Sequence, residues 1–138
     1  MSPSQRRFLL HIEDDEDDQA MLKEAIKETE AAPEVWTARN GQEGLEILRQ
    51  CVLLNNLPSL IILDLNLPGM DGKKVLMEIK KHPVLSLIPV AIFTTSSSQL
   101  DKLFAEKHHV ELITKPSSEV DFFQSVKNIL ENCYRTSK

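Results

Sequence analysis

Asp64 closes an uninterrupted apolar run, Leu60-Ile61-Ile62-Leu63, and the turn residues Pro68-Gly69 come shortly after it. An unpaired acid is costly to bury at the end of such a run, so it either faces solvent or has partners. Candidate partners stand in three other segments. An acidic block runs from Glu13 through Asp14 and Asp15 to Asp18, a hydroxyl run opens at Thr94-Thr95, and Lys115 stands before Pro116. Carboxylates held close together repel one another, and raised pKa values or a divalent cation relieve the strain. Mg²⁺ suits such a set because it takes a few carboxylates, keeps several waters and shares phosphate oxygens. A carboxylate beside that cation, with an ammonium and a hydroxyl in reach, can act as a nucleophile toward a phosphoryl group. The metal and Lys115 would offset the charge on the transferred group, and Thr94 would donate a hydrogen bond.

Each segment alone has a plainer explanation. Acids in a first helical turn favour the positive end of the helix dipole, a Thr/Ser run often caps a helix, and a Lys before Pro often marks an exposed turn. Their joint meaning depends on the elements that carry them. Phe8–Ile12 predicts a short buried strand, and Met21, Leu22, Ala25 and Ile26 follow at helical spacing until Pro33. Val35–Ala38 predicts a second strand, closed by Asn40-Gly41, and Glu43–Leu54 a helix carrying Leu45, Leu48 and Val52. The strand ending at Asp64 is the third. Lys73–His82 then predicts a helix with Val75, Leu76 and Ile79 inward, stopped by Pro83. Pro89–Phe93 predicts a fourth strand, and Gln99–Lys107 a helix carrying Leu100, Leu103 and Phe104. Val110–Ile113 reads as a weaker fifth strand, and Phe122, Val126, Ile129 and Leu130 mark a last helix.

Short apolar strands alternating with helices predict an α/β fold, a doubly wound parallel sheet with helices on both faces. Ligands in such sheets sit beyond the carboxyl ends of the strands. Glu13, Asp14, Asp64, Thr94 and Lys115 all follow strands immediately, so this topology brings them to one rim. A nucleotide or flavin site is disfavoured, because the loop after the first strand is acidic and lacks Gly. An EF-hand fails because Gln19 stands where that loop needs Gly. A phosphatase would need a second general acid near Asp64, and Asp71 lies too far round the turn.

The chain has 138 residues and a formal charge of -5, which suits one domain and no basic nucleic-acid face. Cys51 and Cys133 show neither metal spacing nor a disulfide framework, as in a reduced cytoplasmic protein. No signal peptide or membrane span is legible. His11 reads as a satisfied core or semi-buried histidine, His82, His108 and His109 as exposed helix-end or loop positions, and Trp36 as packing.

The segments Ile12-Glu13-Asp14, Leu63-Asp64-Leu65-Asn66-Leu67-Pro68-Gly69-Met70-Asp71-Gly72, Phe93-Thr94-Thr95-Ser96 and Thr114-Lys115-Pro116 together resemble the receiver domain of two-component response regulators. The likeness covers nearly the whole chain (core about 7–134) and is greatest to single-domain regulators, including those paired with phytochrome-type histidine kinases. It implies a flavodoxin-like strand order of 2-1-3-4-5. It implies that Asp64 accepts a phosphoryl group from a kinase phosphohistidine or a phosphotransfer protein, assisted by Thr94 and Lys115. It also implies Mg²⁺ or Mn²⁺ held by Glu13, Asp14, Asp64 and the backbone carbonyl of Asn66, and a cis Lys115–Pro116 bond. Such a chain is a signalling phosphoreceiver and not an enzyme in its own right. It acts by protein contacts on an unidentified target, and a second copy can pair through the fourth helix, fifth strand and fifth helix. No output domain fits within Asn132–Lys138. One departure stands out. Leu112 occupies the position, three residues before the Lys, where receivers usually carry an aromatic switch residue. The alternative is therefore an adaptor of receiver fold that works independently of phosphorylation.

Overall fold

The computed structural model describes residues 7–30 and 32–136. The N-terminal residues ahead of Arg7 and the final two residues of the tail lie outside the described residues. In chain order the elements are β1 (Phe8–Ile12), α1 (Glu16–Lys27), β2 (Glu34–Ala38), α2 (Gly41–Leu53) and β3 (Leu60–Leu63). They continue with α3 (Gly72–Lys81), a 3-10 turn (Leu85–Leu87), β4 (Val90–Thr94), α4 (Gln99–Lys107), β5 (Glu111–Thr114) and α5 (Glu119–Thr136). The sheet order is β2-β1-β3-β4-β5, and every adjacent pair is parallel. This is the predicted 2-1-3-4-5 order.

The central strands are apolar throughout because both of their faces are covered. Leu10, Ile12, Ile61, Leu63 and Ile92 face Leu45 and Leu48 of α2 and Val75, Leu76 and Ile79 of α3. The alternate residues Leu9, Ile62 and Phe93 face Leu22, Ala25 and Ile26 of α1 and Phe122, Val126 and Ile129 of α5. β5, at one edge, is only half-buried, which is why it reads as the weaker strand.

All five α-helices begin on a side-chain cap. Asp15, Asn40, Asp71, Ser98 and Ser118 accept from the backbone N–H groups of Asp17, Glu43, Lys73, Asp101 and Asp121. Asn40-Gly41, expected to close the second strand, in fact opens α2. An added Cβ at Gly41 would press within 2.5 Å of Val75 Cγ2, so α2 and α3 approach closely there. The expected inward face of α4 needs correction too. Leu100 and Leu103 are exposed, whereas Ala105 is buried and Phe104 half-buried. Asp101, bridged to Lys73 of α3 at 2.7 Å, rotates α4 so that the 101, 104, 105 and 108 stripe faces inward.

Ile12 pairs with Leu63, and Thr94 with Thr114. This register brings the residues just beyond β1, β3, β4 and β5 level with one another at one rim. Strand order reverses between β1 and β3, so Glu13, Asp14 and Asp64 flank the switch point of the sheet. The turn after β3 packs under α3, where Gly72 donates its N–H to the Leu65 carbonyl at 3.1 Å. A Cβ at Gly72 would fall on the Asp64 carbonyl oxygen and within 2.5 Å of Leu65 Cα. Both obstacles are backbone. Gly72→Ala is expected to lower the unfolding free energy by about 2–3 kcal/mol, read from the denaturant midpoint at unchanged slope. A wild-type midpoint would show that the turn relaxes.

Candidate functional site

The Lys115 ammonium sits at the centre of the rim. Its Nζ donates to Glu13 Oε1 at 2.5 Å, Asp18 Oδ2 at 2.7 Å and Asp64 Oδ2 at 2.9 Å. The side chains of Glu13, Lys115 and Asp64 are only 1%, 5% and 6% exposed. Three sequence-distant segments position them. The backbone N–H of Asp64 bonds the Ile12 carbonyl at 3.1 Å, and that of Lys115 bonds the Thr94 carbonyl at 2.7 Å. Glu13 is held at both ends, for its Oε2 accepts from the Asp15 N–H and its carbonyl accepts from Gln19 Nε2.

The other oxygen of Asp64, Oδ1, accepts from the Asn66 backbone N–H at 3.1 Å. Asn66 Nδ2 extends across to the hydroxyls of Thr94 and Thr95, each at 3.5 Å. Thr94 is fully buried, and its Oγ1 also accepts a long bond from the Ser96 N–H. From Ser96 the network runs outward. Ser96 Oγ bonds Asp101 Oδ2, and the other Asp101 oxygen meets Lys73 Nζ. Lys73 and then Ser96 hold the Asp101 carboxyl below its ordinary range.

Glu13, Asp14 and Asp64 each offer a carboxylate oxygen, and these atoms lie within 4.8 Å of one another. Hard oxygen donors so grouped fit a small divalent cation. Burial, and then the Asp64 charge, push Glu13 up to about 7 against the pull of Lys115. Burial also opposes the charge on Lys115, but its hydrogen bonds to Asp18, Glu13 and Asp64 outweigh that and raise it above the ordinary lysine range. Acid predominates around one cation, which is the condition under which a second cation is welcome.

The family model for the response regulator receiver domain matches residues 9–127. The chain belongs to the response regulator receiver family. It is 36% identical over 126 residues to response regulator Rcp1 of Synechocystis sp., covering 89% of this chain and 86% of that protein. Among solved structures it is similar to the phosphorylated cyanobacterial phytochrome response regulator RcpA, with a TM-score of 0.89 and 37% identity over 96% of this chain and 97% of that one. The Mn²⁺-bound form of Rcp1 gives a TM-score of 0.81 at 36% identity, covering 89% and 91% of the two chains. The likeness to phytochrome-associated receivers, suggested by the motifs, is thus borne out.

Within this receiver, Glu13, Asp14, Asp64, Asn66, Thr94 and Lys115 all lie at the one rim. Two expectations need correction. No peptide bond among the described residues is cis, so Lys115–Pro116 is trans. The trans isomer is the lower in energy for an X–Pro bond, and the Lys115 contacts are made without the other. His11 is buried, yet its Nδ1 has no hydrogen-bond partner, and burial followed by the Lys115 charge holds the ring down at about 3. It is a neutral ring in the core and not a satisfied one.

Leu112 pairs with Ile92 and is half-buried against the core on the α4 side. Asp18 is the residue that the sequence reading did not single out. The acidic block gives a helix-dipole reason for every acid in the first turn of α1, and its spacing does not say which of them turns inward.

Proposed function

We propose that this receiver accepts a phosphoryl group on Asp64 from the phosphohistidine of a sensor kinase or phosphotransfer protein, and signals through protein contacts as a cytoplasmic regulator. The observation that carries the reading is the 2.9 Å contact from Lys115 Nζ to a buried carboxylate that also belongs to a metal-sized cluster of acids. A carboxylate oxygen of Asp64 forms a bond to phosphorus as the bond to the imidazole nitrogen breaks. The electron pair stays on that nitrogen, and the phosphoryl group passes to the carboxylate as an acyl phosphate.

Glu13, Asp14 and Asp64, with the Asn66 backbone oxygen, are the residues that would hold Mg²⁺ or Mn²⁺. When bound, such an ion neutralises charge on the phosphoryl oxygens. Lys115, already on one Asp64 oxygen, would turn a donor to the same phosphoryl oxygens. The Thr94 hydroxyl, which Asn66 Nδ2 approaches at 3.5 Å, would donate to them once the group arrives. Asn66 keeps one Asp64 oxygen oriented through its backbone N–H. The chain promotes only its own phosphorylation and dephosphorylation.

Readout is proposed to pass through the loop from Thr94 to Ser98, because Ser96 links the Thr94 hydroxyl to Asp101 and thence to Lys73. A leucine at 112 has no phenolic hydroxyl to report the switch, and this favours a second reading as an adaptor indifferent to phosphorylation. Equal partner affinity of the phosphorylated and unphosphorylated chains would select that reading. Among the described residues no helix is long and apolar enough to cross a membrane.

Metal removal is the functional test. With acetyl phosphate and Mg²⁺ the chain is expected to gain one phosphoryl group by intact mass, and with excess EDTA to gain none. Equal uptake in EDTA would rule out the role assigned to the acidic cluster.

A further inference from the structure

The geometry points to Asp18 as a positioning residue that restrains Lys115 in the resting state and must release it for the phosphoryl group to be bound. The inference rests on the reading of Asp64 as phosphoacceptor and adds a third carboxylate to its control. An ammonium has three donors, and here all three are taken, by Glu13, Asp18 and Asp64. A phosphoryl oxygen arriving at Asp64 can be bound by Lys115 only if one of those contacts yields.

Asp18 is the one placed to yield. Glu13 makes the shortest contact and is 1% exposed, and Asp64 is itself the residue modified. Asp18 is 18% exposed, so water can take over its carboxylate when the lysine leaves. Glu13 and Asp64 also belong to the metal-sized cluster, and Asp18 does not. Its one described side-chain hydrogen bond is to Lys115. Asp18 therefore competes with the incoming group for a donor, and its charge repels that group at short range.

Helix stability alone does not require this contact. Asp15 supplies the cap of α1, and Glu16 and Asp17 supply acid to the same first turn. Asp17 is exposed and lacks a described contact with Lys115, so it is a matched control.

The test compares initial rates of uptake from acetyl phosphate in Mg²⁺ for the full chain, Asp18→Asn and Asp17→Asn, with thermal melts of each. Asp18→Asn is expected to raise the rate about three- to ten-fold, the scale of one partly solvated charge interaction, and Asp17→Asn to leave it within about two-fold. A rate for Asp18→Asn at or below wild type overturns the inference, as does an equal rise in both variants, which would be general charge steering. An unlabelled wild-type chain overturns the phosphoacceptor reading, and this inference with it.

Discussion

Asp64→Asn is expected to abolish phosphoryl uptake while leaving the fold intact. An amide nitrogen or oxygen at this position is no substitute for the anionic nucleophile, so the loss at that site should be complete. The fold should survive, because Glu13 and Asp18 still satisfy two of the three donors on Lys115. The substitution also removes one charge from a cluster in which acids outnumber the cation. In EDTA the variant should therefore melt at or above the wild-type temperature. Intact mass after incubation with a small phosphodonor and Mg²⁺ measures the first effect, and a melt in EDTA the second. Wild-type uptake by Asp64→Asn would move the acceptor elsewhere, with the remaining acids of the rim as the alternatives.

The second large effect concerns the cation. Lys115→Met keeps the stem of the side chain and deletes the charge, leaving Glu13, Asp18 and Asp64 facing one another. Removing one partner of a buried ion pair costs about 3–5 kcal/mol. A loss near 3 kcal/mol is expected here, since Asp18 keeps access to water. The deficit should depend on pH. Glu13 already sits near 7 with the lysine present, and without it the carboxyl binds its proton still more readily. A group whose folded pKa is raised stabilises below its unfolded value and loses that contribution as pH rises through the folded one. The deficit of Lys115→Met should thus be small near pH 5 and largest above pH 7, and Mg²⁺ should recover part of it by replacing the missing charge. Denaturant melts at two pH values, with and without Mg²⁺, measure all of this. A deficit that is flat across pH and indifferent to Mg²⁺ would mean that the lysine acts by packing alone.

Much of the molecule was readable from residue order, for a physical reason. In a parallel sheet covered on both faces, strands are apolar runs and chemistry collects just past their ends. Phe8–Ile12 and Leu60–Leu63 were therefore visible to the residue, and Glu13 and Asp64 followed from them. The convergence of Thr94 and Lys115 on the same rim followed from a doubly wound parallel sheet, whereas the order in which the strands pair came with the likeness to receivers.

What stayed hidden was whatever depends on helix rotation or on a choice among equivalent groups. Leu100 and Leu103 have the spacing of a buried stripe, yet the Asp101–Lys73 bridge and the Ser98 cap turn α4 one residue round. Asn40-Gly41 is equally good as a turn and as a helix start, and the Asn40 side chain capping the Glu43 N–H makes it the start of α2. Asp18 is one of six consecutive acids, all credible as solvated first-turn residues, and nothing in their order marks the one that reaches Lys115. His11 was legible as buried but not as unpaired, because pairing depends on what lies opposite in three dimensions.

The central claim is that Asp64, and no other acid of the rim, carries the phosphoryl group. Borohydride reduces an aspartyl phosphate to homoserine, and that residue survives digestion and peptide sequencing by mass. After incubation with acetyl phosphate and Mg²⁺, reduction is expected to leave homoserine at position 64 alone. Homoserine at position 14, 15 or 18, or none at all in a chain that has gained the phosphoryl mass, would contradict the account.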